Sequence, residues 1–227
     1  MRIIVSEGPV ELADRAASHI AELISTYEGR RVSLGLAGGS TPRATYERLR
    51  NTEVDWTAVD CWLSDERWVP RDDPDSNSRM ARLALLDHVP AVFHDIGWRK
   101  KRLPQAAAQE YSAKLETIFD EAPDIVLLGM GEDGHTASLF PGTDALEDTS
   151  SGYIANFVPG KGWRLTATLG LLNRARHLVF LVAGTGKAGV LSRVLNGEPF
   201  PSTLVGRGHS DVTWLVDEAA AAELDPS

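Results

Sequence analysis

Six short apolar runs recur along the chain with helix-length segments between them: RIIVS (2–6), RVSLGLA (31–37), VDCWLSD (59–65), DIVLLGM (124–130), HLVFLVAG (177–184) and DVTWLV (211–216). Several are apolar on consecutive residues, as strands covered on both faces are. The intervening stretches carry helical spacing. VELADRAASHIAELISTYEG (10–29) has Gly29 as its C-cap, and TPRATYERLRN (41–51) has Thr41 as N-cap and Pro42 at the first helical position. DSNSRMARLALLDHV (75–89), PQAAAQEYSAKLETIFDEA (104–122) and KAGVLSRVLNG (187–197) complete the set. Strands separated by helices pair in parallel through crossovers. The pattern predicts a single α/β domain over residues 1–227, an open, mostly parallel, Rossmann-like sheet with helices on both faces.

Charge and cysteine content narrow the function. The net charge of −9 argues against a nucleic-acid partner, because phosphate backbones need a concentrated basic surface. It leaves room for a small anion, which needs only a few cations and backbone N–H groups. No run of about 18 apolar residues is present to span a membrane. The opening MRIIVSEGPVELADR lacks the apolar core and cleavage site of a signal peptide. The single cysteine, Cys61, excludes an intramolecular disulfide and reads as a buried thiol in AVDCWL. A cytoplasmic protein, monomeric or a small homo-oligomer, is expected.

In such sheets ligands bind beyond the carboxyl ends of the strands. Four segments fall there: AGGSTP, SDERWVP, GMGEDGH and AGTGK. In the first, Gly38 and Gly39 let the backbone approach a ligand, and Ser40 and Thr41 add hydroxyls and N–H groups at a helix start. That combination suits a phosphate better than a plain glycine turn does. Ser40 is no nucleophile elbow, since Pro42 breaks G-x-S-x-G. The fourth is not a P-loop, because Leu181 replaces the first glycine and Ala188 the Ser/Thr. Lys187 there is either a point charge for a phosphate or a solvated surface lysine. SDERWVP sets Asp65, Glu66 and Arg67 at a strand end, as a surface ion pair or as a carboxylate and guanidinium aimed into the cleft.

GMGEDGHTASLFPG (129–142) contains G-x-G-x-x-G after a strand. A dinucleotide fingerprint also needs a full helix and an acidic residue ending the next strand. Pro141 and Gly142 stop any helix, and Glu147 and Asp148 lie in TDALEDTSSG, which is no strand. The loop instead holds Asp133 and His135 on either side of Gly134, a general base with a carboxylate to orient it. His19, His88, His94, His177 and His209 sit in no such loop. No H-E-x-x-H or Cys/His cluster indicates a metal.

Together GGSTP, SDERWVP with DSN, GMGEDGHTASLFPG, and RLTATLGLLNRA with VFLVAGTGK resemble the signature blocks of the 6-phosphogluconolactonase family, from about residue 5 to about residue 216. The resemblance implies a lactone hydrolase of the oxidative pentose phosphate pathway acting on a sugar-phosphate lactone, without cofactor or metal. His135 would be the general base, with Asp133 and Arg67 beside it. Gly38–Thr41, Arg164 and Lys187 would hold the phosphate, and Asp65 would line the substrate site. PGKGWRLTATL departs from the family's proline-rich approach to that arginine. Glucosamine-6-phosphate deaminases share the GSTP and DGH blocks. Their block resembles DGHIAFNEP, with a glutamate where this chain has Phe140, and they read DEY where this chain reads DER. Both differences favour the lactonase. A non-catalytic sugar-phosphate regulator would keep the phosphate loop but have no use for the Asp133–His135 pair.

Overall fold

In the computed structural model, which describes residues 1–209 and 211–224, ten strands form two sheets. Seven make one sheet: β1 (Arg2–Ser6), β2 (Val32–Leu36), β3 (Val59–Leu63), β5 (Val92–Phe93), β6 (Ile125–Leu128), β9 (His177–Val182) and β10 (Val212–Asp217). Its order is β1-β10-β9-β6-β2-β3-β5, and every neighbouring pair is parallel. All six apolar runs became strands of it. Residues of β2, β3 and β6 are buried throughout, as their unbroken apolar runs require.

β1 leads through α1 (Pro9–Ser25) to β2, and from β2 the chain winds outward through α2 (Ser40–Leu49) and α3 (Asn77–Ala81); the three helices pack in succession, α1 on α2 and α2 on α3. It returns through α4 (Pro104–Glu116), α5 (Leu169–Asn173) and α6 (Ala188–Leu195), with short α7 (Pro201–Leu204) and α8 (Glu218–Ala221) after them. Winding one way from β2 and then the other from β6 sends right-handed crossovers to opposite faces. The reversal opens a crevice between β2 and β6 at their carboxyl ends.

A second sheet was not legible in the sequence. β4 (Asp65–Arg67), β7 (Tyr153–Val158) and β8 (Gly162–Ala167) pair antiparallel in the order β4-β8-β7. The run read as one strand over 59–65 therefore breaks at Ser64, whose N–H and Oγ both donate to Leu36 O at 2.8 and 3.0 Å. Two caps and the course of one helix also differ from expectation. α2 starts at Ser40 with Gly39 as N-cap, so Thr41 is the second and Pro42 the third helical residue. α1 stops at Ser25, leaving Gly29 in a separate left-handed turn. α3 gives way to a π-helical turn over Arg82–Leu86.

Aromatic residues dominate the centre. Trp62, Tyr46 and Phe180 are fully buried, and Phe180 stacks on Trp214 with centroids 3.9 Å apart. Cys61 is fully buried too, and burial pushes its thiol pKa up. No helix among the described residues is long and apolar enough to cross a membrane.

Candidate active site

Most of the residues singled out in the sequence meet in one cleft. A cavity of ≈ 280 Å³ at the β2/β6 crevice is lined by Gly38, Gly39, Ser40, Thr41, Asp65, Arg67, His135 and Lys187, with Asn77 and Ala137 between them. A larger hollow of ≈ 900 Å³ lies between α4 and β7, away from these groups.

The glycine loop after β2 forms one wall. Tyr46, buried on α2, donates its hydroxyl to Ala37 O at 3.0 Å and accepts from Ala37 N–H at 2.8 Å, fixing the loop against its own helix. The first bond of α2 runs from Arg43 N–H to Gly39 O at 3.1 Å. The N–H groups of Ser40 and Thr41 thus open the helix without an intrahelical acceptor and face the cleft. Gly38 is required by its neighbour, since a Cβ there would lie 2.0 Å from Asn77 Oδ1. Asn77 cannot yield. Its amide donates to Asp65 O at 2.9 Å and to Asp65 Oδ1 at 3.2 Å, and it is buried.

The histidine loop forms the facing wall. His135 Nδ1 lies 2.5 Å from Asp133 Oδ1, and the same oxygen accepts His135 N–H at 3.1 Å. Burial pushes the Asp133 carboxyl up, but these bonds from His135 outweigh it and hold the pKa below the ordinary aspartate value. Asp133 does not line the cavity; it backs the ring from behind. The ring stacks on Phe140, centroids 4.1 Å apart at 24°. Gly131 makes room for it, because a Cβ there would sit 2.0 Å from Nδ1. The loop closes through Gly131 N–H to His135 O at 2.8 Å and is pinned by Ser202, whose Oγ donates to Gly134 O at 2.8 Å. Ala137 holds the left-handed conformation at φ 47, a local strain at the cleft's edge.

The small sheet supplies the cations. Register pairs Arg67 on β4 directly with Arg164 on β8. Directly opposed residues share a face, so two guanidinium groups stand side by side. Arg67 donates to Asp75 O at 2.7 Å and Arg164 to Trp163 O at 3.3 Å; neither joins an ion pair among the described residues. Burial, and then the charge of Arg67, push the Arg164 pKa down. Arg164 lies outside the lining of the cavity, in contrast to the expectation that it closes on a ligand with Lys187. On the same face Asp65 is buried and accepts from Ser138 Oγ at 2.6 Å. Glu66 points the other way into the interior. It accepts from the N–H groups of Arg67, Asn77 and Ser78 at 2.7–2.8 Å, and burial still pushes its carboxyl up to about 7.

Asn77, Ser138, Tyr46 and Ser202 are supporting residues that sequence reasoning passed over. Only Asn77 carried a signal, as the last letter of DSN; the others are tied to the site by contacts across 9 to 73 residues of chain. Among the described residues, no three His, Cys, Asp or Glu side chains converge as a metal set.

A parallel sheet with a cleft at its switch point, walled by a glycine loop and a carboxylate-backed histidine, defines an α/β protein built to hold a small ligand beside one imidazole. Known proteins make that class specific. Residues 7–214 match the family described as glucosamine-6-phosphate isomerases/6-phosphogluconolactonase, and the chain belongs to it. It is 39% identical to the 6-phosphogluconolactonase of Synechocystis sp. over 206 residues, 86% of this chain and 85% of that one. The crystal structure of 6-phosphogluconolactonase from Leishmania guyanensis superposes with a TM-score of 0.89 at 30% identity, covering 99% of both chains. A monomeric glucosamine-6-phosphate deaminase superposes with a TM-score of 0.86 at 24% identity, which reflects the shared fold alone.

Proposed function

We propose that this chain is a 6-phosphogluconolactonase, opening 6-phospho-D-glucono-1,5-lactone to 6-phospho-D-gluconate in the oxidative pentose phosphate pathway. The observation that carries the reading is the His135–Asp133 contact of 2.5 Å, which backs the one imidazole of a cleft that also holds Arg67 and Lys187. Relatives bearing that name at up to 39% identity among those compared supply the substrate class.

With Asp133 accepting from Nδ1–H, the imidazole keeps its Nε2 lone pair free for the cleft. Stacking on Phe140 fixes the ring plane, and Gly131 sets its depth. Lys187 and the Gly38–Thr41 loop hold the 6-phosphate, with Arg164 adding its charge from beside Arg67 outside the cavity lining, so that C1 comes to rest beside Nε2. His135 takes a proton from water as the oxygen attacks C1. Charge moves onto the carbonyl oxygen, where Arg67 or the glycine-loop N–H groups stabilise it. The C1–O5 bond then breaks, and the imidazolium returns its proton to the departing ring oxygen. Asp65, held by Ser138 and Asn77, is placed to accept from a sugar hydroxyl. The reaction asks nothing of a metal or cofactor.

The deaminase of the same family is the reading to exclude. Moving a proton between C1 and C2 calls for a second carboxylate at the histidine besides Asp133, and where the deaminase block carries that glutamate the ring of Phe140 lies against His135. An ammonia assay on glucosamine 6-phosphate beside NMR of freshly made lactone, in mildly acidic buffer to slow spontaneous hydrolysis, separates the two. Rapid lactone opening with no ammonia is expected. Ammonia at a comparable rate would overturn the reading.

A further inference from the structure

Two cations line the cleft among the described residues, and they differ in one respect. Arg67 joins no ion pair among the described residues, whereas Lys187 Nζ lies 3.8 Å from Glu132 Oε1. Glu132 precedes Asp133 on the histidine loop and reaches across to the loop after β9. Its side chain is 73% exposed and has no other polar partner among the described residues. It stands over Gly186, where an added Cβ would lie 2.7 Å from the same Oε1. Asp65 and Glu66, by contrast, are buried and tied by several donors.

An exposed pair of this kind adds little to stability. Its position matters more: Glu132 lies outside the lining of the cavity, but the ammonium it approaches is part of that lining, so the carboxylate and an incoming anion draw on the same charge. We infer that Glu132 is a specificity-determining residue that competes with the substrate's phosphate for Lys187. It neutralises the lysine in the empty cleft, must be displaced when the phosphorylated lactone enters, and returns to the ammonium as the phosphorylated product leaves. This rests on the reading of Lys187 as a phosphate-binding cation. The effect is a brake on anion affinity that keeps the cleft from filling with product or free phosphate.

Glu132→Gln preserves the size of the side chain and removes its charge. Calorimetry with inorganic phosphate should show binding about twofold to fivefold tighter than in the wild type, the range of one screened pair. KM for the phosphorylated lactone should fall by a similar factor, with kcat moving less, and high salt should shrink the difference. Glu132→Asp, which withdraws the carboxylate by one methylene, should lie between the two. Equal or weaker phosphate binding by Glu132→Gln, or no phosphate binding by either protein, would overturn the inference. If phosphate binds as stated but the wild type opens no lactone, the functional reading fails and the competition stands.

Discussion

The two ends of the parallel sheet treat charge in opposite ways. Where the strands begin, Arg30 and Arg176 both reach Asp124, which is buried and also accepts from Ser33 N–H at 2.9 Å. Beside it Arg31 and His94 share Asp60 at 2.5 and 2.7 Å. Burial pushes the Asp60 carboxyl up, and its two partners pull it below the ordinary value. Where the strands finish, neither Arg67 nor Arg164 joins an ion pair among the described residues, and Lys187 has only a loose, exposed partner. The first end has satisfied its charges with the protein's own groups. At the second, the cations are left without close ion pairs among the described residues and can turn to a ligand. Stability resides at one end and chemistry at the other, and substitutions should separate them.

The largest effect belongs to the finishing end. His135→Asn should lower kcat by about 10²–10⁴-fold while inorganic phosphate still binds, because only the proton acceptor is lost. Steady-state kinetics beside calorimetry checks this; near-normal turnover would break the contrast. At the beginning end, Asp124→Ala should do the reverse. Removing the carboxylate strands the Ser33 N–H and uncouples two arginines, a loss of about 3–5 kcal/mol. Tm should drop by about 10 °C for a chain this long, with kcat of the folded protein close to wild type. Lys187→Ala should raise KM for the phosphorylated lactone by about 10–100-fold, with a smaller loss in kcat. Plain glucono-1,5-lactone should be affected far less. Equal losses on both substrates would show that Lys187 serves the fold.

The smallest effect sharpens the boundary between the ends. Glu66 sits behind the cleft with its carboxyl pushed up to about 7 by burial. Between the ordinary glutamate range and about pH 7 the folded state then holds a proton that the unfolded state has released. Stability from this group is therefore present at low pH and lost as pH rises through that window. Thermal melts at pH 5 and pH 7.5 should show a decline of a few degrees that Glu66→Gln abolishes. An unaltered slope in the variant would assign the decline to another group.

Much of this was legible before any coordinates. The six apolar runs announce their strands because central parallel strands bury both faces, so no alternation interrupts them. His135, Lys187 and the Gly38–Thr41 loop stood out because the carboxyl ends of such strands converge at one edge. The small sheet stayed hidden for an equally physical reason. β4 is three residues long, and β7 and β8 read YIANFV and GWRLTA, mixed in polarity and joined by a turn at Pro159–Lys161. Nothing local marks Arg67 as the partner of Arg164; their adjacency is a matter of register across nearly a hundred residues.

The sequence by itself determined the layered α/β architecture, the glycine loop and the histidine with its carboxylate two residues away, since each follows from local periodicity or short spacing. Tertiary structure alone decided that Arg67 and Arg164 share one face, that Asn77 fills the space left by Gly38, that Glu132 leans on Lys187 and that Phe140 lies flat on His135. Three of these four link segments distant in the chain. The fourth depends on how a tight loop folds back on itself. Such contacts arise from register, close packing and the loss of water between surfaces, and none of those quantities is written in the order of neighbouring residues.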